Sequence, residues 1–186
     1  MSWIRFWPWH CTILFQHGGF MFFSSQLVEA LKADHKKLRA ELNLLKETDI
    51  SQVDRQLSFG RILPLLISHT QREEKVVYSF MKSQEDENLN FMAYEGQTKH
   101  AIVDQLIEDI LSEGLTNQEW SASAKVLADI ICQHLDEEEN EVFPYLKRHL
   151  DSDKDAELCL LYESHYQNSD TIGYEKERVS EAPRWS

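Results

Sequence analysis

Apolar residues recur along this chain at the three- and four-residue spacing of helices that bury one face. Between Ser24 and Glu47 the stripe is Leu27, Val28, Leu31, Leu38, Leu42 and Leu45, with His35 in its middle. A second stripe runs from about Gln52 to Lys82 through Leu57, Ile62, Leu65, Leu66, His69, Glu73, Val76, Val77 and Phe80. Ser51 is placed to cap that helix. Gly60 and Pro64 predict a kink or short break just ahead of His69, because proline removes a hydrogen bond and crowds the preceding turn. A third helix from Leu89 to Leu111 carries Met92, Ala93, His100, Val103, Ile107 and Ile110 on one face, and Gly114 ends it. Thr116 and Glu119 have the spacing of a capping box. They open a fourth helix, whose inward residues are Leu127, Ile130, Ile131, His134, Glu138, Val142 and Tyr145 and which continues to about Leu150. Pro144 predicts a bend in its last turns. After Asp151 a short fifth helix is expected to turn Ala156, Leu158, Leu160 and Leu161 toward the others.

These elements predict an all-α protein: an antiparallel up-down four-helix bundle over residues 24–150, with a short extra C-terminal helix over 151–167. Residues 1–23, with Trp3, Trp7, Trp9 and five Phe, read as an apolar N-terminal extension of unassigned role. Pro8 and His10 interrupt its apolar run, which argues against a signal peptide. Arg5, Pro8, His10 and His17 argue against a membrane span. The polar stretch 168–186 reads as a flexible tail.

The second and fourth helices share a motif. His69, Glu73, Glu74, Val77 and Tyr78 stand at the same offsets as His134, Glu138, Glu139, Val142 and Phe143. His35 and His100 each precede one copy, and like His69 and His134 they are 65 residues apart. One helical hairpin used twice would carry a lone histidine on its first helix and His-x-x-x-Glu on its second. Residues four apart share a helix face, so two such hairpins packed together bring four imidazoles and two carboxylates to one axis.

Composition narrows the chemistry. The 186 residues are 42% hydrophobic and 27% charged, as in a soluble globular protein. The net charge of −13 argues against binding nucleic acid, which needs clustered Lys and Arg. Cys11, Cys132 and Cys159 form no Cys-x-x-Cys pair, so neither a disulfide framework nor a thiolate zinc site is indicated, and a cytoplasmic location is expected. Membrane contact is not expected, and oligomeric state is not legible. No phosphate loop, hydrolase elbow or zinc-protease motif occurs.

Burying two carboxylates without cations is costly. Two cations held between the helices would remove that cost, so His35, His69, Glu73, His100, His134 and Glu138 are the candidate metal ligands. Imidazole and carboxylate without thiolate suit iron or manganese, with zinc as an alternative. Glu73 and Glu138 are placed to bridge two ions. Glu74 and Glu139, a quarter-turn away, are expected outside the ligand set, with Tyr78 a candidate hydrogen-bond donor near it.

These residues resemble the hemerythrin-like, or HHE cation-binding, domains over roughly Ser24 to Leu150. The resemblance implies a four-helix bundle holding a non-haem di-iron centre, with the four histidines as terminal ligands, Glu73 and Glu138 as bridges, and an oxo or hydroxo bridge between two iron ions. It implies a protein that binds or senses oxygen, nitric oxide or peroxide, or takes part in iron homeostasis, more a small-molecule binder than an enzyme. The alternatives are a peroxidase-like oxidative enzyme using the same centre and an adaptor bundle with a vestigial site. Oxygen-carrying hemerythrins have a second histidine one turn before the third-helix histidine, where this chain has Gly96. That departure leaves a metal position for water, a small molecule or a nearby carboxylate such as Glu95.

Overall fold

The computed structural model of the protein describes residues 24–112 and 114–169. The extension expected over 1–23 and the part of the expected tail from 170 onward lie outside them. The described chain is helical almost throughout. Helix α1 is Gln26–Lys46. Helix α2, residues 52–82, joins the α-helix Gln52–Arg72, the wider π-helical turns Glu73–Tyr78 and the α-helical Ser79–Lys82. Helix α3 is Glu87–Leu111. Helix α4, residues 117–149, repeats the build of α2: Asn117–Glu137, the π-helical Glu138–Val142, then Phe143–Leu146 and a closing 3-10 turn Lys147–His149. Helix α5 is Ser152–Ser169. α1 packs beside α2 and α4, α3 closes the ring against α4 and the second half of α2, and α5 lies against α1 and α2.

The sequence supplies the start of each bundle helix. Ser25, Ser51, Asp86 and Thr116 accept hydrogen bonds from first-turn amides, and Glu119 completes the capping box by accepting from the Thr116 amide at 2.9 Å. Each such cap contributes about 1 kcal/mol. Arg55 secures the other end of α1 by donating to the carbonyls of Leu45 and Glu47. Gly114, at φ 102°, turns the chain between α3 and α4 in a conformation that side chains rarely adopt.

Two apolar clusters fill the bundle. One contains Leu38, Leu42, Phe59, Ile62, Val103, Trp120, Leu127 and Ile131; the other contains Leu27, Leu31, Val77, Tyr78, Met81, Leu89, Phe143 and Tyr162. His35 stands between Leu31 and Leu38, His69 between Leu66 and Val76, His100 between Ala93 and Val103, and His134 with Glu138 between Ile131 and Phe143. A polar layer is thus held between two dry ones.

Several inward positions differ from those the sequence predicts. A π turn takes in one more residue than an α turn, so the buried face beyond it falls one position later. Met81 is buried where Phe80 was expected, and Phe143 and Leu146 are buried where Val142 and Tyr145 were expected, the latter three being only partly covered. The same wide turn in α4 lets Pro144 open a fresh helical segment, where its missing N–H leaves no helical partner wanting. Pro64 does not break α2. It and Gly60 face solvent, so the Gly60 carbonyl it deprives of a partner remains open to hydration. Leu57 is 57% exposed, because the inward stripe is Arg55, Ser58, Phe59, Ile62 and Leu63, with Ser58 donating to the Glu41 carbonyl at 3.0 Å. On α5 the packed face is Asp155, Leu158, Cys159 and Tyr162, while Leu160 and Leu161 are exposed.

Candidate metal centre

The four histidines and two glutamates meet in the polar layer, each at most 5% exposed. Their ligand atoms fall into two groups, each within a 4.8 Å span: His35, His69, Glu73 and Glu138 in one, and Glu73, His100 and His134 in the other. His35 Nε2 lies 3.4 Å from Glu138 Oε2, and His69 Nε2 lies 3.6 Å from Glu73 Oε2. On the other side His100 Nε2 is 3.5 Å from Glu73 Oε2, and His134 Nε2 is 3.5 Å from Glu138 Oε1. The two hairpins therefore exchange partners through their carboxylates.

Three of the imidazoles are held from behind by their other nitrogen. Nδ1 of His35 is 2.9 Å from Glu139, Nδ1 of His100 is 2.7 Å from Glu74, and Nδ1 of His69 is 3.2 Å from the Tyr162 hydroxyl. Such bonds fix the ring and turn its Nε2 atom inward. Glu74 and Glu139 do this across the hairpins, each orienting the lone histidine of the other copy. Arg39 holds Glu139 in turn, at 3.0 Å.

Charge is unevenly distributed. Burial acts first, pushing Glu73 up together with the facing Glu138; burial also opposes the charge on Glu138, but His134 and His35 hold it below the carboxylate range. Against the downward push of burial, Glu73 and Glu74 lift His100 to about 10, and Glu138 raises His35. Burial takes His134 down to about 4 and His69 well below the histidine range.

The donor set fits a cation. Among the described residues, His35 Nε2, His69 Nε2, Glu73 Oε1 and Glu138 Oε2 are buried without a hydrogen-bond partner. Each such atom costs about 1–3 kcal/mol, and all four sit on the residues of the first ligand group. A cation among them would satisfy what the protein does not.

Glu95 does not take the position that the sequence allowed it. Its side chain is 48% exposed and its carboxylate holds Lys99 at 2.9 Å. The space beside Gly96 is filled by Tyr78, whose hydroxyl lies 2.9 Å from Glu138 Oε1 and 3.3 Å from Glu73 Oε2. Three contributors were missed from sequence. The Tyr162 hydroxyl donates to Asp34 Oδ2 at 2.9 Å, and Asp34 pairs with Arg72 at 2.6 Å. The readable signal was period: Tyr162 falls on the stripe of Asp155, Leu158 and Cys159.

Residues 26–146 match the family described as the hemerythrin HHE cation binding domain. The chain belongs to that family. Its matched segment spans α1 to the end of the Phe143–Leu146 turn and contains all six clustered side chains, so this is a metal-binding hemerythrin-like protein. An uncharacterised hemerythrin-like protein of Schizosaccharomyces pombe is 23% identical over 140 residues, covering 75% of this chain and 68% of that protein. A DNA nickase of Nostoc sp. is 25% identical over 126 residues, covering 68% of this chain but 35% of its own length, so this chain spans about a third of that relative. No solved structure matches the chain. Among the described residues no helix is long and apolar enough to cross a membrane.

Proposed function

We propose that the cluster holds two iron ions and that the protein uses them to bind or sense a small oxidant: oxygen, nitric oxide or peroxide. In this reading His35 and His69 serve one ion, His100 and His134 the other, and Glu73 and Glu138 are shared. The observation that carries it is the division of the buried ligand atoms into two groups with Glu73 common to both. Nitrogen and oxygen donors without a thiolate favour iron or manganese. Bound there, an iron pair would supply reversible redox chemistry and an affinity for oxygen-like ligands.

The chain's own residues prepare that site. Glu139, Tyr162 and Glu74 keep three Nε2 atoms turned inward, which spares the protein from reorganising when metal enters. The apolar layers on either side limit water around the cluster, and a drier surrounding strengthens each charge interaction inside it. The Tyr78 hydroxyl places one polar hydrogen beside the two shared carboxylates.

A nucleic-acid role has less support. The net charge of −13 opposes phosphate binding, and the nickase relative is matched over 35% of its length. The direct test is metal analysis of protein purified from iron-supplied cells, followed by visible absorption with oxygen and nitric oxide added in turn. Two irons per chain and a spectrum that changes with either gas are expected. Protein containing neither iron nor manganese sinks the reading.

A further inference from the structure

Position 96 of α3, one turn before His100, is a buried glycine inside a regular helix. Glycine there costs about 1 kcal/mol relative to alanine, and a close neighbour accounts for it. A Cβ at this position would meet Tyr78 Oη at 2.3 Å, Cζ at 2.5 Å and Cε2 at 2.9 Å. No side chain fits while the phenol is in place. Tyr78 comes from the wide turn of α2, is 1% exposed, and stacks on the His100 ring with centroids 5.5 Å apart.

The phenol oxygen completes a ring of donors. Tyr78 Oη is 2.9 Å from Glu138 Oε1, which is 3.5 Å from His134 Nε2. His134 Nε2 is 3.0 Å from His100 Nε2, His100 Nε2 is 3.5 Å from Glu73 Oε2, and that oxygen is 3.3 Å from Tyr78 Oη again. Neighbouring ligands of an octahedral ion with bonds of about 2.1 Å stand about 3 Å apart. Successive donors around this ring, three oxygens and two nitrogens, stand 2.9–3.5 Å apart, close to that spacing.

We propose that Tyr78 is itself a ligand, binding as phenolate to the ion held by His100 and His134, in the place that Gly96 opens. This rests on the di-iron reading above. On binding, the phenol O–H bond breaks, an iron–oxygen bond forms and the proton passes to solvent, with no change in oxidation state. At the matching offset of the other copy the ring stacked on His35 is Phe143, which carries no phenol oxygen, so the two ions are chemically unequal. The position that the sequence left for an outside molecule or for Glu95 is filled from within the chain.

The test uses the full chain loaded with iron(II) without oxygen, oxidised with ferricyanide and examined by resonance Raman spectroscopy in the visible, with iron counted per chain. Wild-type protein is expected to show the ring vibrations of a coordinated phenolate. Tyr78→Phe should lose them, and the exposed Tyr94→Phe should keep them. Gly96→Ala should lose them too, although Tyr78 is present, because the added methyl must push the phenol aside. Wild-type protein holding two irons without phenolate vibrations overturns the proposal and leaves the di-iron reading standing; wild-type protein that holds no iron overturns both. Vibrations that persist in Tyr78→Phe also overturn it. If that variant fails to fold, the wild-type and Gly96→Ala spectra decide.

Discussion

The hydroxyl of Tyr162 lies 3.2 Å from Nδ1 of His69, so α5, which falls outside the family-matched residues 26–146, reaches the back of the candidate metal site. The same hydroxyl donates to Asp34, and the Arg72 guanidinium lies over the Tyr162 ring at 4.3 Å. Tyr162→Phe keeps the packing and deletes the link. Metal-free protein should lose about 1–3 kcal/mol in urea denaturation, the cost of a buried polar group deprived of its partner. Metal affinity should fall about 10- to 100-fold, as for other groups that orient a ligand. Unchanged affinity in a competition titration would refute the coupling.

Asp34 ties three elements together through Arg72 on α2, Tyr162 on α5 and its neighbour Lys37 on α1. Asp34→Ala should destabilise the protein by about 3 kcal/mol, because it breaks a mostly buried ion pair from one side. A loss no larger than the roughly 0.5 kcal/mol of an ordinary surface change would show the pair to be incidental. Burial opposes the charge on Asp34, but Lys37 and Arg72 hold its carboxyl below the usual range. Its contribution is therefore present above about pH 4 and lost as the pH falls through the lowered folded value.

Glu73→Gln separates the cost of the cluster from its use. In metal-free protein the substitution removes a carboxylate that burial and the facing Glu138 already push toward neutrality, so the melting temperature should rise. In the presence of iron(II) or zinc the order should reverse. Wild-type protein gains about 2.7 kcal/mol at a metal concentration one hundred times its dissociation constant, and the variant loses most of that gain. A variant that is less stable than wild type both with and without metal would contradict this account.

Metal uptake should release protons. In the metal-free protein His100 is held at about 10 and His35 is raised above its ordinary range, while metal requires the neutral imidazole. Apparent affinity should therefore rise with pH, measurably between pH 6 and 8. The stability of metal-free protein follows the opposite sign for His100. Its contribution is complete below about pH 6.5 and is lost as the pH rises toward the folded value of about 10. Titration in weak buffer with a pH indicator measures the release, and metal binding without proton release would contradict the charge assignment.

The four-helix bundle was legible because His35, His69, His100 and His134 each sit inside an apolar stripe, and the 65-residue offset pairs them within the sequence itself. The back of the cluster was not legible. Burial on α5 is decided by period and hydrogen bonding, which put Asp155 and Tyr162 inside, whereas apolar character pointed to Leu160 and Leu161. Leu57 misled in the same way on α2, where Arg55 and Ser58 take inward places because helix carbonyls accept their hydrogen bonds. Met81 in place of Phe80 has another cause, since regular helical counting carries no provision for a wide turn. Tyr78 was visible only as a candidate hydrogen-bond donor, because its approach to Gly96 depends on how α2 and α3 pack.

The π turns act as shims, one in each hairpin, beginning at Glu73 and Glu138. A shim can be withdrawn without moving the walls it separates. A chain shortened by its exposed Lys75 would run as ordinary helix past Glu73 and still seat Met81 in the interior. Length differences within the rods of related chains should therefore gather at these two turns, while a single-residue change elsewhere would swing half a rod out of register.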